Sequence, residues 1–172
     1  DFAIAEMHSG PLGESPAFQF TRADDAASGS WYVCSAEPAV IPEPIKLAYK
    51  AADYIVHSGT QRFKLKLGAS CTALTALFAK HQVQSAAFIT AHNPRSEILT
   101  PDENERRHRQ LLTALKNCCT TTLLGKGCDP AGDYPGEKSV LALGISASNA
   151  IKLGDQFGQN AIVWAGSGAR PM

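Results

Sequence analysis

The spacing of apolar and charged side chains predicts a series of short strands in the second part of the chain. Apolar and basic residues alternate over 62–67, which is the period of two typical of a strand with one exposed face. Residues 86–91 form a continuous apolar run, which predicts a central strand covered on both faces. Further strands are predicted over 53–57, 120–124, 138–143 and 160–165.

Helical spacing between these strands completes the pattern and indicates the fold class. Helices are predicted over 45–51, from a cap at Ser70 or Thr72 to His81, from Thr100 to near Asn117, and over 146–157 with Gly158 just after the end. From residue 53 the order is β-β-α-β-α-β-β-α-β. This order predicts an α+β (or α/β) fold in which about three helices pack on a mixed central sheet.

The first part of the chain differs in composition from the rest. Residues 1–44 are rich in proline and glycine, and we interpret them as an N-terminal extension or arm. Residues 45–172 are expected to form a single globular domain, with the boundary near Pro44. Within that domain, residues 125–136 are rich in Gly, Pro and Asp and are expected to form a loop.

Charge and cysteine content argue against several classes of function. Sixteen basic residues balance sixteen acidic ones, so the basic excess typical of a nucleic-acid-binding protein is missing and no nucleic-acid partner is expected. No run of about 18 apolar residues predicts a membrane span. Five cysteines without paired spacing indicate reduced thiols and a cytoplasmic location. No motif predicts a metal site or a cofactor.

The sequence TPDE at 100–103 is a strong signal for a helix start. Thr100 can cap the helix, Pro101 suits its first position, and Glu103 can complete a capping box. The capping role of Glu103 competes with a role as a catalytic base. Just before it, Asn93 precedes Pro94 and is expected to be extended.

The inward stripe of this helix changes character along its length. Leu111 and Leu115 are apolar, and stepping back by three and four residues gives His108 and Asn104. The polar end of the stripe either exits into solvent or lines a cavity. The second interpretation gains support because polar residues follow the preceding central strand, near the positive end of the helix dipole.

These features define a candidate site at the strand–helix junction, residues 87–108. An anion would be held by Asn93, Arg95 and the helix N-terminus, with Glu103 or Glu137 as general base. Asn104 and Gln159 would orient the ligand. The remaining candidate ligand-binding residues are Ser96, His108 and Asp133.

Four motifs taken together resemble a bacterial family catalogued as domain of unknown function 3293. They are AFITAHNPRS, PDENERRHRQLL, GCDPAGDYPGEKSVLALG and LGDQFGQNAIVWAG, and the likeness covers roughly residues 47–164. The resemblance implies a small bacterial cytoplasmic protein and no particular reaction. The family usually has an aromatic residue at the position of His92 and often Asn at that of His108, which argues against either histidine as an essential catalyst. The residues that match the family pattern are Asn93, Pro94, Ser96, Glu103, Asn104, Gly132, Glu137, Phe157, Gly158 and Gln159.

Two functional hypotheses follow. In the first, the junction binds a small anionic ligand such as a nucleotide or a phosphometabolite. If the protein is an enzyme, it would hydrolyse or transfer that ligand. In the second, the protein is a non-catalytic interaction or regulatory module that forms a homodimer through residues 1–44. The first requires that Asn93, Asn104, Glu137 and Gln159 converge.

Overall fold

The computed structural model describes residues 2–6, 21–22, 32–33, 43–132 and 134–166. The helices are α1 (Glu43–Ala51), α2 (Thr72–His81), α3 (Pro101–Leu115) and α4 (Ala147–Gln156), and Pro94–Ser96 form a single 3-10 turn. The strands are β1 (Phe2–Glu6), β2 (Thr21–Arg22), β3 (Tyr32–Val33), β4 (Asp53–Ser58), β5 (Gln61–Leu65), β6 (Ala86–Thr90), β7 (Thr121–Cys128), β8 (Glu137–Leu143) and β9 (Ala161–Ala165).

All the described strands belong to one sheet, in the order β2-β3-β1-β9-β6-β8-β7-β4-β5. The element order from residue 53 is the predicted one, and α1 precedes it. The six strands from β4 to β9 pair antiparallel, which makes the fold α+β and rules out the α/β alternative. At the other end, β1 continues the sheet by pairing with β9.

Strand β6 lies at the centre because it is apolar on both faces. Ala87 and Ile89 face a core shared with α3 and α4, and Phe88 faces a second core shared with α2. The predicted central strand is therefore confirmed. Among the described helices, none is long and apolar enough to cross a bilayer.

The alternation of buried and exposed side chains predicted for the edge strand β5 is also confirmed. Leu65 is fully buried, whereas Arg62 and Lys64 are exposed. Charged side chains on an edge strand hinder pairing with the edge of another sheet. The predicted helix cap is wrong, however, because α2 begins at Thr72 after Cys71, and no side chain caps it.

The loop predicted over 125–136 is partly strand, because β7 continues to Cys128. Gly125 lies in the ladder where a Cβ would be 2.6 Å from the Phe88 ring. The glycine is needed for this close packing rather than for a turn, and the two causes look alike in a sequence. The loop itself is therefore shorter and begins after the strand ends.

The last helix ends as predicted. Ser146 caps α4, and its Oγ accepts a hydrogen bond from the Asn149 N–H at 3.2 Å. Gly158 follows the helix with φ of 65°, a left-handed conformation that suits glycine. This turn brings the chain to the start of β9, beside the end of β6.

We expect Leu111→Ala to lower the free energy of unfolding by about 2–5 kcal/mol, because Leu111 is fully buried and its truncation leaves a cavity. Leu124→Ala is the matched control. Leu124 is 58% exposed, so its truncation should change stability by about 0.5 kcal/mol or less. Urea unfolding of both variants measures the difference, and equal losses would contradict the assignment of the core.

Candidate functional site

The register of the sheet brings three distant segments together at the carboxyl end of β6. Thr90 lies opposite Ser139 on β8, and Phe88 lies opposite Val163 on β9. If the β6–β8 and β6–β9 pairings are extended past the last hydrogen-bonded pairs, His92 lies opposite residue 137 on one side and residue 159 on the other. Antiparallel pairing therefore places the end of one strand beside the starts of its two neighbours.

Asn93 lies at the centre of this region, and its backbone conformation differs from the expected one. Its backbone is left-handed, with φ of 45° and ψ of 59°, and the prediction of an extended residue was wrong. Asparagine tolerates this conformation better than most residues. Arg95 and Ser96 also have positive φ, of 54° and 64°. Strain of about 1–3 kcal/mol per such residue persists only where surrounding contacts hold the chain.

Contacts with α3 hold Asn93 in this conformation. The Asn93 N–H donates to Asn104 Oδ1 at 3.0 Å, and Asn104 Nδ2 donates back to Asn93 Oδ1 at 2.9 Å. The Leu99 N–H also donates to Asn93 Oδ1, at 3.1 Å. Both asparagines are 7% exposed and His108 is 5% exposed. The polar end of the helix stripe therefore does not exit into solvent; it joins a buried network.

Glu137 is joined to this network through the Asn93 amide. Asn93 Nδ2 donates to Glu137 Oε1 at 2.8 Å. Burial raises the pKa of Glu137 to about 7, against the opposing effect of this hydrogen bond. A carboxyl with this pKa is present in both protonation states near neutral pH. It can therefore both give and take a proton there.

Tyr134 is a further member of the site that the sequence interpretation missed. Burial raises the pKa of its phenol, the charge of Glu137 adds to the effect, and a hydrogen bond with Asn93 opposes it. The hydroxyl thus lies beside both residues, while the side chain is 37% exposed. An aromatic residue within the Gly-, Pro- and Asp-rich loop was the signal available in the sequence.

Two histidine rings meet edge to face in the same region. The centroids of His92 and His108 are 6.1 Å apart, with an interplanar angle of 87°. Burial lowers the pKa of both imidazoles. Within the described part of the chain, His92 Nε2 and His108 Nδ1 are buried and accept or donate no hydrogen bond. Both rings therefore favour the neutral form.

Arg107 and Gln159 tie the three segments together through backbone carbonyls. Arg107 Nε donates to the Ala91 carbonyl at 2.8 Å, and its Nη2 donates to the Phe157 carbonyl at 2.5 Å. Gln159 Nε2 donates to the His92 carbonyl at 2.9 Å. The sequence interpretation missed Arg107, because nothing in its sequence context distinguishes it from Arg106 and Arg109.

The other predicted site residues lie outside this network or at its margin. Glu103 is bound by Arg106 at 2.6 Å and 2.9 Å, so its carboxylate does not return to Thr100. Only the Thr100 half of the capping box is formed, with Thr100 Oγ1 accepting from the Glu103 N–H at 3.3 Å. Arg95 is exposed, with Nη2 3.8 Å from Asp155 Oδ1. Ser96 Oγ accepts from Asn160 Nδ2 at 3.0 Å. Asp133 lies outside the described residues.

Across the described residues, no three His, Cys, Asp or Glu side chains come together to hold a metal ion. The described cysteines are free, and burial raises the pKa of Cys118 and Cys119, which keeps them protonated.

Comparison with known proteins finds a match to a family of unknown function. Residues 89–162 match the model of a family described as Protein of unknown function (DUF3293). The matched segment is shorter than the expected 47–164, and it contains Asn93, Asn104, Glu137 and Gln159. No curated protein and no solved structure matches the chain.

We expect Glu137→Gln to stabilise the protein at neutral and alkaline pH. The folded pKa of about 7 lies above the ordinary value of 4.5, so the stability from this group is fully present below pH 4.5 and is lost as pH rises through 7. A glutamine keeps the acceptor for Asn93 and has no charge to desolvate. The variant should gain up to roughly 3 kcal/mol over the wild type at pH 8, and the two should converge near pH 4.5.

Urea unfolding at several pH values between 4.5 and 8 measures this difference. Glu103→Gln is the matched control, because Arg106 lowers the pKa of that exposed carboxyl and its loss should not stabilise the protein at alkaline pH. Parallel pH profiles for wild type and Glu137→Gln would contradict the buried position of the carboxyl.

We expect His108→Leu to reduce the loss of stability in acid. Because burial lowers the pKa of His108, the unfolded chain binds a proton first, and stability falls as pH drops below the ordinary value of 6.5. Leucine removes this proton uptake and fills the space. Thermal unfolding at pH 7 and pH 5 should show the variant gaining roughly 2–4 °C on the wild type at the lower pH. An identical acid loss in both proteins would refute this role.

Proposed function

We propose a function from the geometry of the junction, because the family model that matches residues 89–162 describes a protein of unknown function and names no activity. The domain binds a small molecule with an anionic group beside Glu137, and Glu137 is the group that exchanges a proton with it. A nucleotide or another phosphorylated metabolite has the required chemistry. Catalysis would be a hydrolysis or a transfer in which Glu137 acts as general acid or base.

The pKa and surroundings of Glu137 are the observation on which this proposal rests. The carboxyl is desolvated and held at a pKa of about 7 by burial. Glutamine at this position would keep the Asn93 hydrogen bond without the cost of desolvating a charge. An ionisable group placed where an amide would be more stable is typical of functional sites.

The network around Glu137 supports a positioning role for Asn93. Its Nδ2 faces Glu137, while its Oδ1 is fixed by the Asn104 amide and the Leu99 N–H. With Oδ1 held by donors, the Asn93 amide cannot rotate without losing these bonds. The carboxyl of Glu137 is therefore presented in one orientation, with the Tyr134 hydroxyl beside it.

Arg95 is the cation that we propose for the anionic group of the ligand. The turn that carries it is anchored by the Arg95 N–H, which donates to the Gly158 carbonyl at 2.8 Å. Its guanidinium is exposed, and its ion pair with Asp155 at 3.8 Å is a surface pair of small energy. A phosphate or carboxylate that binds the guanidinium in a bidentate manner would replace this pair.

The N-terminus of α3 is no longer part of the proposed anion site. Thr100 already accepts from the Glu103 N–H, and Asp102 and Glu103 occupy the first turn. Their carboxylates interact favourably with the positive end of the helix dipole and would repel a second anion. Glu103 is also left out as a base, because it is exposed and paired with Arg106.

A thermal-shift experiment with AMP, ADP, ATP, pyrophosphate and inorganic phosphate tests the proposal. At a hundredfold excess over Kd, a bound probe should raise the free energy of unfolding by about 2.7 kcal/mol. Arg95→Ala should abolish the shift without loss of basal stability, because the side chain is exposed. Glu137→Gln should retain binding and lose the change in affinity between pH 6 and pH 8.

Arg109→Ala is the control for Arg95, since it removes another exposed cation, from the surface of α3. Its thermal shift should equal that of the wild type. The proposal fails if none of the five probes stabilises the wild-type protein, or if Arg95→Ala and Arg109→Ala weaken the shift equally.

A further inference from the structure

Beside α3, one face of the sheet is not covered by any described helix, and most of the charged side chains on it are basic. On β4, Tyr54 and Val56 point into the core shared with α2, so Ile55 and His57 point to the opposite side. Helices α3 and α4 cover this opposite side only over the strands near β6. Over β4, β5 and β7, no described helix covers this side, and Leu124 is 58% exposed there.

The strand register lines up basic side chains across this open side. Lys64 lies opposite Ile55, Ile55 lies opposite Lys126, and Lys126 lies opposite Lys138. In the next row, Arg62 lies opposite His57. We call this surface the basic sheet face; it consists of His57, Arg62, Lys64, Lys126 and Lys138.

Carboxylates near the basic sheet face are already engaged. Asp53 pairs with Lys64 at 2.5 Å, and Glu105 pairs with Lys138 at 2.5 Å. In the described part of the chain, no carboxylate pairs with Arg62 or Lys126. Lys126 and Lys138 are moreover directly opposed on neighbouring strands, and like charges in that relation destabilise a sheet. A bound polyanion would relieve this repulsion.

The geometry points to a second, separate binding surface: the basic sheet face binds the phosphodiester backbone of single-stranded nucleic acid. Charge complementarity is the reason for a polyanion, and cations spread over four strands suit a chain of regularly spaced phosphates. An acidic peptide fits less well, because peptide recognition also uses apolar pockets. Among the described strand residues of this face, Leu124 is the one large apolar side chain that is exposed, at 58%. Among the described residues of this face, His57 is the only one with a ring, so binding is expected to be insensitive to base sequence.

This inference changes the expectation drawn from net charge. The chain has sixteen basic and sixteen acidic residues, but a sum over the chain contains no information about which face each charge occupies. Strand alternation sorts Arg62, Lys64 and Lys126 to one side of the sheet. The proposed nucleic-acid surface uses none of the residues of the Glu137 site, so each proposal can fail without the other.

Fluorescence anisotropy with a labelled oligo(dT) of about 20 nucleotides tests the proposal on the full chain. Affinity should fall steeply as KCl rises from about 50 to 200 mM. The double variant Arg62→Glu/Lys126→Glu should bind at least about tenfold more weakly at low salt, with a salt slope smaller by about 1.4 for two lost phosphate contacts. Lys126→Glu also turns an opposed like-charge pair into an opposite-charge pair, so the variant should retain or exceed the wild-type Tm.

Lys80→Glu/Lys152→Glu is the matched control, because it makes the same change in net charge on exposed positions of α2 and α4. It should bind oligo(dT) within about twofold of the wild type. Equal losses of affinity in both double variants would show that binding depends only on net charge, and would overturn the inference. Failure of the wild type to bind oligo(dT), with or without binding of poly-glutamate in a parallel titration, would overturn the assignment to nucleic acid.

Discussion

Asn93 and Asn104 exchange two hydrogen bonds in the buried space between the end of β6 and the first turns of α3, and the rest of the junction is arranged around that pair. A buried amide left without partners is costly, so each asparagine requires the other in place. This mutual requirement holds Asn93 in a left-handed conformation immediately before a proline and sets the direction in which the chain leaves the sheet. It also fixes which end of the Asn93 amide faces Glu137.

The same pair also orients the amide that donates a hydrogen bond to the partly buried carboxyl of Glu137. The side chains of Arg107 and Gln159 donate to backbone carbonyls of the junction, whereas His92 Nε2 and His108 Nδ1 are buried without a hydrogen bond. The network does not fully stabilise the ionised form of Glu137. The single hydrogen bond from the Asn93 amide lowers the pKa of this carboxyl by less than the loss of hydration raises it. Rigid surroundings and an under-stabilised charge are the combination that the proposed proton exchange requires.

The two proposed surfaces illustrate different uses of one antiparallel sheet. At the end of β6, the register brings chain segments from β8 and β9 to a single edge, which creates a compact polar site. Across β4, β5 and β7, the alternation of side chains instead separates an apolar face from a basic one. Arg62 and Lys126 have no carboxylate partner among the described residues, so this face keeps a local positive charge although the whole chain is neutral.

Local patterns in the sequence determined the elements of this fold. The apolar run of β6, the alternation of β5 and the Thr100 cap depend on neighbours within a few residues, and all three were predicted from them. The sequence also singled out Asn93, Asn104, Glu137 and Gln159, because polar residues stood out at element ends. Only the tertiary structure decided what they do together. Strand register brings residues 44 and 67 positions apart into contact, a relation that no local pattern contains. It also decided that Gly125 serves packing against Phe88 and that Asn93 is left-handed, since both follow from contacts with distant parts of the chain.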